Sequence, residues 1–104
     1  MKMNELSQLM PFCDANGRLT ALPAKHKKKL MALWYLAGKL EAGQQYTQQE
    51  INDLLDEWTL FHDAATLRRE LFNKRLLHRT ADGASYWRAE EDIPPLAAFM
   101  AQYI

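Results

Sequence analysis

Thr66, Arg69 and Asn73 recur at intervals of three and four residues within the stretch ATLRRELFNKR, residues 65–75. On a helix advancing 100° per residue, that spacing gathers them on one side, opposite Leu67 and Leu71. The chemistry they offer is base reading. A guanidinium fork matches guanine O6 and N7, a carboxamide matches the adenine edge, and a threonine can touch a methyl group or a phosphate. Lys74, Arg79 and the cluster Lys25, Lys27, Lys28 and Lys29 add charges for phosphates. The same residues also suit a solvated helix surface whose lysine stems cover apolar area, or a face for an acidic protein, and spacing alone leaves these readings open. Arg68 lies nearer the apolar boundary than Arg69 and is expected to pair with an acid on the preceding helix or in the acidic tail.

Other reactive side chains form no comparable set. His62-Asp63 could ligate a metal, but His26 and His78 stand at no recognisable ligand spacing, so no metal is expected. Cys13 beside Asp14 lacks a base or an oxyanion feature in sequence, and a partly buried bystander thiol is the simpler reading. Trp34 and Trp58 fall in apolar stripes and are expected in the core, with Trp87 less determined. Neither enzymatic activity nor a cofactor is expected.

These side chains need elements to hold them. Residues up to Met10 suggest a short helix, with Leu6, Leu9 and Met10 on one side and Pro11 as its stop. FCDANGRLTALPAK (12–25) reads as a turn-rich connector anchored by Phe12, Leu19 and Leu22. A strong helix is expected from near Pro23, with the stripe Leu30, Leu33, Trp34, Ala37 and Leu40, ending by Gly43. Its early lysines oppose the positive end of the helix dipole. Tyr46 marks a very short extended piece. TQQE (47–50) is a capping box opening a second helix with Ile51, Leu54, Leu55 and Trp58 inward. Asp63 is expected to cap a third helix over residues 64 to 74 or 75, with Leu67 and Leu71 inward. LLHRT and SYWRA, joined through Asp82-Gly83, predict a two-stranded hairpin. A final helix is expected after Pro94 or Pro95, presenting Leu96, Phe99, Met100 and Tyr103 on one face.

At 104 residues the chain suits one domain, with its core over about residues 12–88 and the terminal helix over about 94–104. Net charge is zero, yet it alternates in blocks. Residues 23–43 carry five lysines against Glu41, and residues 44–63 carry five carboxylates. Residues 64–80 carry five cations against Glu70, and residues 81–104 are acidic again. No run is apolar and long enough to span a bilayer, no leader pattern opens the chain, and one cysteine suits a reducing compartment. A cytoplasmic protein with no membrane partner is expected.

Helix, short strand, helix, helix and hairpin, in that order, describe a mainly α winged helix-turn-helix, here with an N-terminal connector and a C-terminal helix. The segments GRLTALPAKHKKKLMALWYLAGKLEAGQQYTQQEIN and FHDAATLRRELFNKRLLHRTADGASYW carry a resemblance to a bacterial family, domain-of-unknown-function family 2087. The likeness rests on LPAK, the YT..E.N box and D.ATLRREL in the same order and at similar spacing. It implies a winged-helix-like domain, sometimes appended to a helix-turn-helix regulator, with a role in transcription. The expected function is therefore a DNA-binding or transcription-associated module. The alternative is a protein-interaction module on the same scaffold. A homodimer or a protein partner through the C-terminal helix is a further expectation.

Overall fold

The structure is a computed structural model that describes residues 7–88 and 96–103. It is mainly helical, with a small three-stranded antiparallel sheet. A 3-10 helix, Ser7–Phe12, leads into the connector. Pro11 lies within this helix and does not stop it. Leu9 is buried, whereas Met10 points into solvent at 67% exposure, and Leu6 lies outside the described residues. At about 120° per residue, the 3-10 winding sets Met10 a third of a turn away from Leu9 and off its buried side.

The connector is stitched down locally. The Asp14 carboxylate accepts from the N–H groups of Asn16 and Arg18 and pairs with Arg18 Nε at 3.1 Å. Those bonds hold its pKa below the ordinary carboxylate value, the Arg18 amide contributing most. Leu19 is fully buried and bridges to both Cys13 and Thr59. Gly17 has φ +79°, and a Cβ there would stand 2.9 Å from Tyr35 Oη, which donates to the Gly17 carbonyl at 2.6 Å. Glycine is required on both counts.

Helix α1, His26–Ala37, begins three residues beyond Pro23 and ends well before Gly43. Lys25 occupies the N-cap and offers no side-chain acceptor, so the first amides go uncapped and no acid offsets the dipole. After Ala37 the amides of Lys39 and Leu40 bond three residues back, so the tightened turn still delivers Leu40 to the core. The buried set is wider than one stripe: Met31, Ala32 and Leu36 join Leu30, Leu33 and Ala37.

Strand β1, Gln45–Tyr46, leads directly into α2, Gln48–Glu57. The capping box is complete: Thr47 Oγ1 accepts from the Glu50 amide at 3.1 Å, and Glu50 Oε1 accepts from the Thr47 amide at 2.8 Å. Helix α3, Ala64–Asn73, follows the turn at His62, whose φ is +50°. Asp63 holds the N-cap position without a capping bond. Its ψ of 51° departs from the extended geometry by which Thr47, at ψ 165°, aims its oxygen at the first turn.

Strands β2, Leu77–Arg79, and β3, Tyr86–Arg88, form the hairpin, and β1 adds to its other edge in the order β1-β3-β2. Tyr46 faces Tyr86, which in turn faces Arg79. Only Gly83 takes positive φ at the tip, so Asp82-Gly83 does not make the tight two-residue turn. Instead the Thr80 amide donates to the Ser85 carbonyl, leaving residues 81–84 as the loop, with Asp82 accepting from Thr80 Oγ1 at 2.7 Å and the Ala84 amide at 3.0 Å.

Helix α4, Leu96–Tyr103, packs its Leu96, Phe99 and Met100 side against α1. Tyr103 Oη donates to the Lys74 carbonyl at 2.9 Å, and its own carbonyl lies 2.9 Å from His26 Nε2. One core unites all of these elements: Leu30, Leu33, Ile51, Leu55, Leu67, Leu71, Leu77 and Phe99 are essentially inaccessible. Among the described residues no helix is long and apolar enough to cross a membrane.

Candidate nucleic-acid interface

The outer side of α3 and the base of the hairpin enclose an open cleft of about 350 Å³ lined by Arg68, Arg69, Phe72, Asn73, Arg79 and Tyr86. Leu67 and Leu71 fix the rotation of α3 by burying themselves in the core, which turns Arg69, Phe72 and Asn73 toward solvent. The hairpin is set against α3 by Leu76 and Leu77, both buried just after the helix ends. Tyr86 anchors the rear wall, with its hydroxyl 3.3 Å from Gln48 Oε1 at the start of α2.

The adjacent arginines divide their roles. Arg68 Nη1 donates to Asn52 Oδ1 on α2, so its partner is an amide rather than the acid expected. Asn52, half-buried one position after the fully buried Ile51, is the α2 side chain that meets Arg68. Arg69 and Asn73 make no hydrogen bond or ion pair among the described residues, leaving their full donor sets at the mouth of the cleft. Arg79 reaches in from β2. Its guanidinium lies 5.0 Å over the Phe72 ring, and Nη1 approaches the Thr80 and Ala81 carbonyls at 3.4 and 3.5 Å. None of the lining residues is acidic, so the cleft gathers three fixed positive charges.

The other candidates lie elsewhere. Thr66 is half-buried on α3 and is not among the lining residues. Lys74 Nζ stands 3.5 Å from Glu70 and 5.5 Å over the Tyr103 ring, and Lys29 reaches the same Glu70 at 3.8 Å. One carboxylate thus draws two of the candidate phosphate contacts toward the α1 side of α3. Lys28 sits 5.7 Å from the Phe12 ring, while Lys25 and Lys27 are exposed. The structure therefore joins Arg69, Asn73 and Arg79 and separates the lysine cluster from them.

Phe72 and Tyr86 were absent from the sequence candidates. Phe72 carried a signal, as an aromatic residue one position beyond Leu71 and off the apolar stripe; it is 39% exposed. Tyr86 carried none, because inward and outward positions of a three-residue strand cannot be told apart by alternation.

The remaining reactive groups do not assemble. His62 lies 3.9 Å from Asp56 Oδ1 at the surface, and among the described residues no group of three potential ligands is positioned for a metal. Burial raises the Cys13 thiol pKa, with the neighbouring Asp14 adding to it, which disfavours the nucleophilic thiolate. Trp58 underlies the Lys39 ammonium at 4.0 Å, and Trp87 lies against His78 with ring centroids 5.9 Å apart.

The fold and the cleft define a small helical domain that presents arginine, amide and aromatic groups where its third helix meets its hairpin. The chain belongs to the family described as uncharacterized protein conserved in bacteria (DUF2087), whose model matches residues 18–88. That span includes every residue lining the cleft and leaves out the 3-10 helix and α4. No curated protein and no solved structure matches the chain.

Proposed function

We propose that this chain is a winged-helix module that binds duplex DNA in the bacterial cytoplasm and acts in transcription, by binding rather than by catalysis. The meeting of Arg69, Asn73 and Arg79 at the junction of α3 and the hairpin carries the reading. The element order and the strand order β1-β3-β2 support it, because they give the third helix an exposed flank beside a protruding loop. With α3 in the major groove, Arg69 addresses a guanine edge and Asn73 an adenine edge, while Arg79 and the exposed Lys25 and Lys27 take phosphates.

Fluorescence anisotropy on mixed-sequence duplex at increasing salt tests this. With about three phosphate contacts, log affinity should fall by roughly 3 for each tenfold rise in salt. Arg69→Ala should weaken binding. Absence of any salt-dependent binding at low ionic strength overturns the reading and favours an interaction module for an acidic protein segment, to which the exposed Phe72 between two arginines would also be suited.

A further inference from the structure

The distribution of charge around the cleft differs from that of an extended phosphate track. Helix α2, packed beside α3, exposes Glu50, Asp53 and Glu57, and Glu70 engages Lys29 and Lys74 on the other flank. Between these acidic flanks, Arg68, Arg69 and Arg79 converge on the cleft without an acidic lining residue. Such a site can hold a single compact phosphate group as well as one on a duplex. It also holds an aromatic platform. The Arg79 guanidinium lies over the ring of Phe72, which is exposed on the outer side of α3, at 5.0 Å, and ring and guanidinium planes both accept a planar base. The cleft, at about 350 Å³, falls within the usual range for small-ligand sites, about 300–1,000 Å³.

We infer that this cleft binds a single nucleotide unit, with its phosphate held by Arg69 and Arg79, its unpaired base laid against Phe72 and the Arg79 guanidinium, and Asn73 bonding the base edge. This goes beyond duplex reading, which uses the same arginines but does not need an exposed ring. The shared chemistry of phosphate plus unpaired base can come from a free nucleotide or from one unit of a single strand.

Calorimetric titration of the full chain at low salt distinguishes these, using deoxythymidine monophosphate, thymidine, inorganic phosphate, a short oligothymidylate and a blunt duplex. Saturable binding of the monophosphate, with thymidine and inorganic phosphate each much weaker, supports the inference and points to a free nucleotide. Binding confined to the oligothymidylate supports it with a strand as the source. Phe72→Leu keeps an apolar side chain at a partly exposed position and should weaken the nucleotide or oligomer about tenfold, in line with the loss of one stacked base. The duplex should be nearly indifferent to that change. Arg79→Gln, which leaves the ring in place, should weaken the nucleotide as well. Duplex binding without nucleotide or oligomer binding overturns the inference and leaves the duplex reading standing; nucleotide binding without duplex binding does the reverse. Failure of all the nucleic-acid ligands overturns both, and unchanged nucleotide affinity in Phe72→Leu removes the stacking role.

Discussion

Arg68 donates to Asn52 across the packing of α2 against α3, while Arg69, one residue on, has no such partner among the described residues. The two arginines should therefore separate stability from binding. Arg68→Ala leaves the half-buried Asn52 amide without its donor and should destabilise the fold by about 1–2 kcal/mol in urea unfolding. Arg69→Ala should stay within about 0.5 kcal/mol of the parent, as exposed substitutions do. On duplex DNA, Arg69→Ala should lose affinity. Equal stability losses for the two variants would contradict the division.

Glu70 receives Lys29 at 3.8 Å and Lys74 at 3.5 Å, which makes it a local neutraliser on α3. Glu70→Gln should change stability by less than about 1 kcal/mol, because ion pairs that solvent reaches contribute little. The same change removes one negative charge and frees Lys29 and Lys74, on the α1 side of α3, to reach phosphates away from the cleft. Duplex affinity at low salt should rise. Unchanged affinity would place both lysines outside the phosphate path.

Asp82 accepts from the Thr80 hydroxyl and from the Ala84 amide, and these bonds, the hydroxyl foremost, hold its pKa below the ordinary value. A carboxylate depressed on folding adds stability above its unfolded pKa and loses that contribution as pH falls through the folded pKa. The hairpin tip should therefore loosen on the acid side of the ordinary Asp range. The Ala84 amide resonance should then report a titration displaced to lower pH than that of a free aspartate, and Asp82→Ala should abolish it. Arg79 Nη1 leans on the carbonyls of Thr80 and Ala81, so the same acid step should disturb its placement over Phe72.

Elements whose cause is local were legible in the sequence. The Thr47–Glu50 box is one, since both partners lie within a single turn, and the inward set of α3 is another, since Leu67 and Leu71 obey one period. The extended piece at Tyr46 was legible, but its pairing with β3 was not, because 40 residues separate Tyr46 from Tyr86. Likewise Arg79 could be named as a cation without revealing that the hairpin folds it onto Phe72. In sequence Lys29 and Lys74 stand as free charges, because nothing local shows that Glu70, placed between α1 and α3, serves both. Asp63 shows the limit of a residue-type argument: the type is right for a cap, and the backbone at ψ 51° withholds the bond.

The end of α3 carries a non-glycine residue in left-handed geometry, Arg75 at φ +63°. The Leu76 amide bonds the Leu71 carbonyl at 2.9 Å and the Arg75 amide bonds Phe72 at 3.0 Å, the paired bonds of a Schellman close. Leu71 and Leu76 are both buried beneath it, supplying its apolar contact. That close directs the chain from α3 into β2, so the relation of the cleft's two walls depends on it. Left-handed geometry costs an L-residue about 1–2 kcal/mol, and glycine escapes this while giving back roughly 0.5–1 kcal/mol through its freer unfolded chain. Arg75→Gly should therefore raise unfolding stability by about 0.5–1 kcal/mol. Arg75→Val, with a branched Cβ in the same geometry, should lower it. If the order came out reversed, with valine above arginine and glycine below, the left-handed close would not be what holds the hairpin to α3.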